Sequence, residues 1–156
     1  MQRHAVAQTA LFVFVTMFGL ILLPVAQAAQ CSNVGIAGAW GFTSTGEVAL
    51  PTGAIPFGAV GRLSFDAAGN IAGTQTASVN GNTTFEKIKG TITVSPNCTA
   101  SATVSVFEGG ALVRTTALRA VFVDSQTKFR VIFSKVTLPT GGNLPVVITI
   151  EGDRLF

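Results

Sequence analysis

From Ala39 onward the chain runs in short stretches of alternating apolar and polar residues, broken at regular intervals by turn residues. A period of two sends successive side chains to opposite faces and marks strands, whereas apolar residues at i, i+3, i+4 and i+7 hardly occur. Gly and Thr, both poor in helices, are scattered throughout. Eight runs can be read: Ala39 to Leu50, Ala59 to Asp66, Ile71 to Val79, Thr83 to Ser95, Ala100 to Phe107, Ala111 to Asp124, Lys128 to Leu138 and Leu144 to Phe156. The breaks carry turn chemistry, including the Pro/Gly loop Pro51 to Pro56, Asp66 to Asn70, and Asn80-Gly81, the dipeptide most strongly tied to two-residue hairpins. Successive hairpins without a crossover helix define an all-β antiparallel fold. Eight such strands must hide their edges, and an up-and-down barrel does so by closure. A two-sheet β-sandwich is the alternative. Gly61, Gly73 and Gly90 fall inside strands, where a small barrel needs sharp bends.

The first 28 residues obey different rules. Arg3 and His4 precede an apolar run from Ala10 to Leu23, then Pro24, then Ala26-Gln27-Ala28 with small residues where a signal peptidase reads. The run is shorter than the ~20 residues of a bilayer span. The expected organisation is therefore a signal peptide over 1–28, cut near Ala28, and one β-barrel domain over 29–156 of a secreted or periplasmic protein. A lipoprotein reading fails, because Gln30 precedes Cys31 where a small residue is needed.

Export gives the two cysteines a meaning. In an oxidising compartment Cys31 and Cys98 suggest one disulfide rather than a redox or metal pair, since neither sits in C-x-x-C spacing. The single histidine is His4, in the leader. Its loss removes imidazole-based nucleophilic triads and most catalytic zinc and non-haem iron sites, so no metal and no cofactor is expected. The formal net charge is +3, and the Lys and Arg residues are dispersed singly between Arg62 and Arg154, which argues against nucleic acid as a partner.

The remaining candidates for chemistry are carboxylates and guanidinium groups. Asp66, Glu108 and Asp124 belong to turns, where capping or solvation accounts for them. Glu86 shares a face with Ile88, Gly90 and Ile92. Arg119 shares one with Val113, Ala117, Val121 and Val123, and Arg130 with Ile132, Ser134 and Val136. Inside a barrel, Glu86, Arg119 and Arg130 would orient the polar end of a ligand; on the outside, the arginines would face solvent over apolar stems. Trp40, beside Phe42 in sense and face, either lines such a site or plugs one end of the barrel.

The segments Cys31-Ser32-Asn33, Gly38-Ala39-Trp40-Gly41-Phe42, Gly61-Arg62-Leu63-Ser64-Phe65-Asp66 with Gly69-Asn70, and Gly90-Thr91-Ile92-Thr93-Val94 with Asn97-Cys98-Thr99 carry a resemblance. They resemble a group of small exported bacterial proteins whose architecture is similar to the allene oxide cyclase and lipocalin-like barrels. The likeness runs from Cys31 to about Val106 and fades beyond. Departures are Trp40 for Tyr, Ala67-Ala68 for a glycine turn, Asn97 for Asp and Ala100 for the final Gly. The resemblance implies the barrel and the Cys31–Cys98 pairing, and it transfers no catalytic residue.

Three functional expectations follow. The first is an exported, non-enzymatic barrel that binds a small apolar or amphipathic ligand. The second is a cofactor-free isomerase or cyclase of the allene oxide cyclase type, with Glu86 as the proton-transfer group. The third is an outer-membrane barrel ending in Phe156; Gly152 and Arg154 stand against it at last-strand positions that should be apolar.

Overall fold

The computed structural model describes residues 30–156. The expected leader, 1–28 with its cut near Ala28, lies outside the described residues. A single helical turn, α1 (Asn33–Ile36), is followed by β1 (Gly38–Leu50), β2 (Gly53–Phe65), β3 (Asn70–Val79), β4 (Asn82–Val94), β5 (Thr99–Glu108), β6 (Ala111–Val123), β7 (Lys128–Thr137), β8 (Asn143–Leu144) and β9 (Val146–Arg154). Strands β1 to β6 form an antiparallel meander. β9 pairs with β1 and β7, and β6 pairs with β7, which closes an eight-stranded barrel. That closure decides between barrel and sandwich. The two-residue β8 is an extra piece paired to β7 alone.

Two boundaries depart from the sequence reading, and both involve proline. β2 begins at Gly53 rather than Ala59, so Pro56 lies inside a strand, opposite Glu47 of β1. The pairing of β2 with β3 starts only at Phe57, and the Pro56 carbonyl accepts from the amide of Asn80 in the adjoining turn. The proline thus sits at a sheet margin, where a missing donor is tolerated. The last expected run splits at Pro145, which cannot donate to a ladder. Leu144 stays with β7, and β9 starts afresh at Val146.

The β3–β4 turn keeps its expected form. Asn80 and Gly81 have φ values of 48° and 83°, the left-handed pair that a type I′ hairpin turn demands.

One end of the barrel is plugged. Trp40 is fully buried and packs against Phe65, Phe122 and Phe129 at centroid distances of 5.8, 5.8 and 5.3 Å. Its indole Nε1–H donates to the Ile36 carbonyl of α1 at 2.9 Å, which pins the helical turn across the barrel end. Arg154 lies over the indole at 5.6 Å and donates to the Ala37 carbonyl. The Phe129 ring sits over Gly152, its register partner on β9, where any side chain would collide with it. The Cys31–Cys98 disulfide ties the segment before α1 to the β4–β5 turn at this same end. Above the plug the interior is filled by Phe42, Ile71, Ile88, Ile92, Val104 and Ile150. The void left there is about 40 Å³ and entirely apolar in its lining.

Candidate functional site

The opposite end is built differently. A cavity of about 220 Å³ opens there between Val48 and Leu50 of β1, Ile55 and Phe57 of β2, Val79, Phe133, Val136, Leu144, Val146 and Ile148. The one ionisable side chain in its lining is Arg114 of β6. Strand alternation supplies the apolar walls. Val48, Phe57, Ala77 and Ile148 form a cluster of their own, distinct from the plug.

Arg114 forms a two-pronged ion pair with Glu86, from Nη1 to Oε1 at 2.6 Å and from Nη2 to Oε2 at 2.7 Å. The fork of a guanidinium matches the two oxygens of a carboxylate, and charge-assisted bonds of this kind are short and strong. Gln75, the register partner of Glu86 on β3, donates from Nε2 to Oε2 at 2.5 Å. The three side chains come from three strands of the inner face, and Glu86 is only 3% exposed. Burial pushes the Glu86 carboxyl upward, but the hydrogen bonds from Arg114 and Gln75 and the charge of Arg114 outweigh it. The net direction is below the ordinary glutamate value, so the group is held ionised. Thr116 is the next inward residue of β6 beyond Arg114, opposite Val136, and its buried hydroxyl has no hydrogen-bond partner among the described residues.

The residues singled out from the sequence separate here. Glu86 is inside, as its alternation with Ile88 and Ile92 implies. Trp40 belongs to the plug, at the other end from the cavity. Arg119 and Arg130 are exposed on the outer wall, the solvent-facing of the two placements open to them, so neither orients a ligand inside the barrel, and Arg130 pairs there with Glu151 of β9. The reasons are local. Both faces of β6 carry apolar residues, and the face bearing Leu118, Ala120 and the bulky Phe122 is the one that turns inward. In β7 the register shifts around Ser134, so Phe129, Val131 and Phe133 face in before the irregularity and Val136 after it. A bulge of this kind flips the parity of a strand and cannot be read from period two. Arg114 escaped the sequence reading. The signal for it was Phe122: counting inward by twos from the largest residue of the strand reaches Ala120, Leu118, Thr116 and Arg114. An inward carboxylate such as Glu86 also calls for a buried cation.

Fold and site together define a small antiparallel β-barrel, plugged at one end and open at the other, with a buried ion pair beneath an apolar mouth. No family model and no curated protein matches the chain. Solved structures match the chain, among them the following two. The structure of EF1p2_mFAP2b bound to DFHBI superposes with a TM-score of 0.51 at 14% identity, over 79% of this chain and 98% of that one. The crystal structure of Rv2717c from M. tuberculosis gives a TM-score of 0.37 at 11% identity, over 78% of this chain and 94% of that one.

Proposed function

We propose that the protein is an exported barrel that binds a small apolar or amphipathic molecule in its open mouth. The observation that carries this reading is the apolar-walled cavity with one polar group, Arg114, in its lining. A concave apolar site with a few fixed polar groups is the usual form of a small-molecule site. EF1p2_mFAP2b, similar in fold, is bound to DFHBI, which is compatible with a ligand-binding role for a barrel of this shape. The disulfide supports export, because such bonds persist in extracellular and periplasmic compartments.

The cyclase reading is weaker. Both oxygens of Glu86 are taken by Arg114 and Gln75, and the group is held below its ordinary value, whereas a general base works best when tuned upward toward neutrality. The outer-membrane reading is weaker for another reason. The outer wall presents Arg62, Ser64, Lys87, Lys89, Thr91 and Thr93, and the interior is apolar, the reverse of a membrane-spanning barrel.

Native mass spectrometry of protein purified from an exporting host tests the proposal. A retained small molecule, lost when Ile55→Trp fills the mouth, is the expected result. A mass consistent with a chain starting at Ala29 would accompany it. A molecule that stays bound to the Ile55→Trp variant would place binding elsewhere and overturn the reading.

A further inference from the structure

A guanidinium carries five N–H donors. Two of those of Arg114 go to Glu86, and the other three have no partner among the described residues. The group therefore keeps unused directional donors, on a residue that lines an otherwise apolar cavity. It does not offer net positive charge. Its carboxylate partner lies 2.6 to 2.7 Å away and cancels it. Glu108, directly opposite Glu86 in the β4–β5 register, is exposed at the end of β5 and adds negative charge on the same side of the barrel.

A ligand anion entering the mouth would be desolvated against a pair that is already neutral, beside a further carboxylate, and among the described residues no unpaired cation lines the cavity to offset that cost. A ligand cation would be desolvated against the same neutral pair, whose carboxylate oxygens are already taken by Arg114 and Gln75. A neutral hydrogen-bond acceptor suffers neither penalty. It finds the unused N–H groups, and the unpartnered Thr116 hydroxyl lies one inward position further along β6.

Resting on the mouth as the binding site, we propose that it selects neutral molecules with an apolar body and a carbonyl-type acceptor, as in a ketone, ester or amide, received by the free N–H groups of Arg114. The cavity lies below the ~300–1,000 Å³ typical of sites for drug-sized ligands. The part of the ligand that enters is correspondingly small, and any longer chain projects from the opening.

The test uses octanone, octanoate and octylammonium, each titrated into the disulfide-bonded protein while the methyl resonances of Val48, Ile55, Val136 and Ile148 are followed. Octanone is expected to bind about tenfold tighter than either ion, the difference that one hydrogen bond to a charged donor supplies. Its carbonyl carbon resonance should move downfield on binding. In a Glu86→Leu/Arg114→Met double variant, which replaces the pair by apolar side chains rather than leaving one charge unpaired, that movement should vanish and octanone affinity should fall about tenfold. Equal or tighter binding of octanoate or octylammonium overturns the selectivity while leaving the mouth a binding site. A carbonyl shift that survives in the double variant overturns Arg114 as the donor. No methyl response to any of the three compounds overturns the mouth as a site altogether.

Discussion

Replacing Arg114 alone by Leu leaves the Glu86 carboxylate buried without a cation. The penalty has a ceiling, because the group escapes by taking up a proton. With an unfolded value of ~4.3, forcing a glutamate neutral costs about 3.7 kcal/mol at pH 7 and only about 0.6 kcal/mol at pH 4.5. The Gln75 bond to Oε2 remains and recovers part of this. A loss of about 3 kcal/mol at pH 7 is expected, at the low end of what breaking a buried pair costs. The pH dependence also changes sign. In the parent protein the Glu86 value is lowered, so its contribution is fully present above the ordinary glutamate range and is lost as pH falls through the folded value. In Arg114→Leu burial dominates and the value is raised, so stability is lost as pH rises above that range. Urea unfolding followed by far-UV circular dichroism at both pH values, with the disulfide intact, measures this directly. The Glu86→Leu/Arg114→Met variant should stay within about 1 kcal/mol of the parent at neutral pH, as isosteric replacement of buried pairs does in other proteins. A single variant that loses the same stability at both pH values, or less than about 1 kcal/mol at pH 7, would refute the account of a buried, pair-held carboxylate.

Replacing Cys31 and Cys98 by Ser opens a bridge of sequence separation 67. It should cost about 4 kcal/mol on the chain-entropy account, read as a lower urea midpoint. Gly152→Val drives a side chain into the Phe129 ring and should cost about 1–3 kcal/mol by overpacking, while Ala in place of its outward neighbour Asp153 should be nearly neutral in the same thermal melts. Trp40→Ala removes the centre of the plug and should cost about 3–5 kcal/mol. In the intact protein, tryptophan emission should be blue-shifted and poorly quenched by acrylamide, since Trp40 is the only tryptophan and is fully buried.

How much of the fold was legible varied from strand to strand. In β4 polar Lys87, Lys89, Thr91 and Thr93 alternate cleanly with Ile88, Ile92 and Val94, so both its existence and its inward face followed from the sequence. In β6 apolar residues occupy both faces, and period two is then silent about which face is core. In β7 the irregularity at Ser134 switches parity mid-strand. The side on which Arg119 and Arg130 lie stayed open for those two reasons, and Arg114 was missed for the first. Glu86 was visible because its own strand alternates without interruption.

The linear chain determined the eight strands of the barrel, the hairpin order, the turn at Asn80-Gly81 and the pairing of the only two cysteines, because these depend on local period, turn chemistry and the number of cysteines; the extra β8 was not legible. Closure was decided in three dimensions, where β9 turns back to β1 and β7 meets both β6 and β9. The division of the interior into a plugged aromatic end and an open apolar mouth was decided there too. So was the union of Glu86 with Arg114, which stand two strands apart and meet across β5 on the concave inner face, whereas Gln75 reaches Glu86 as its register partner on the adjoining strand. Periodicity assigns a residue to a face. Curvature decides which residues across that face touch, and a buried carboxylate finds its cation by that geometry alone.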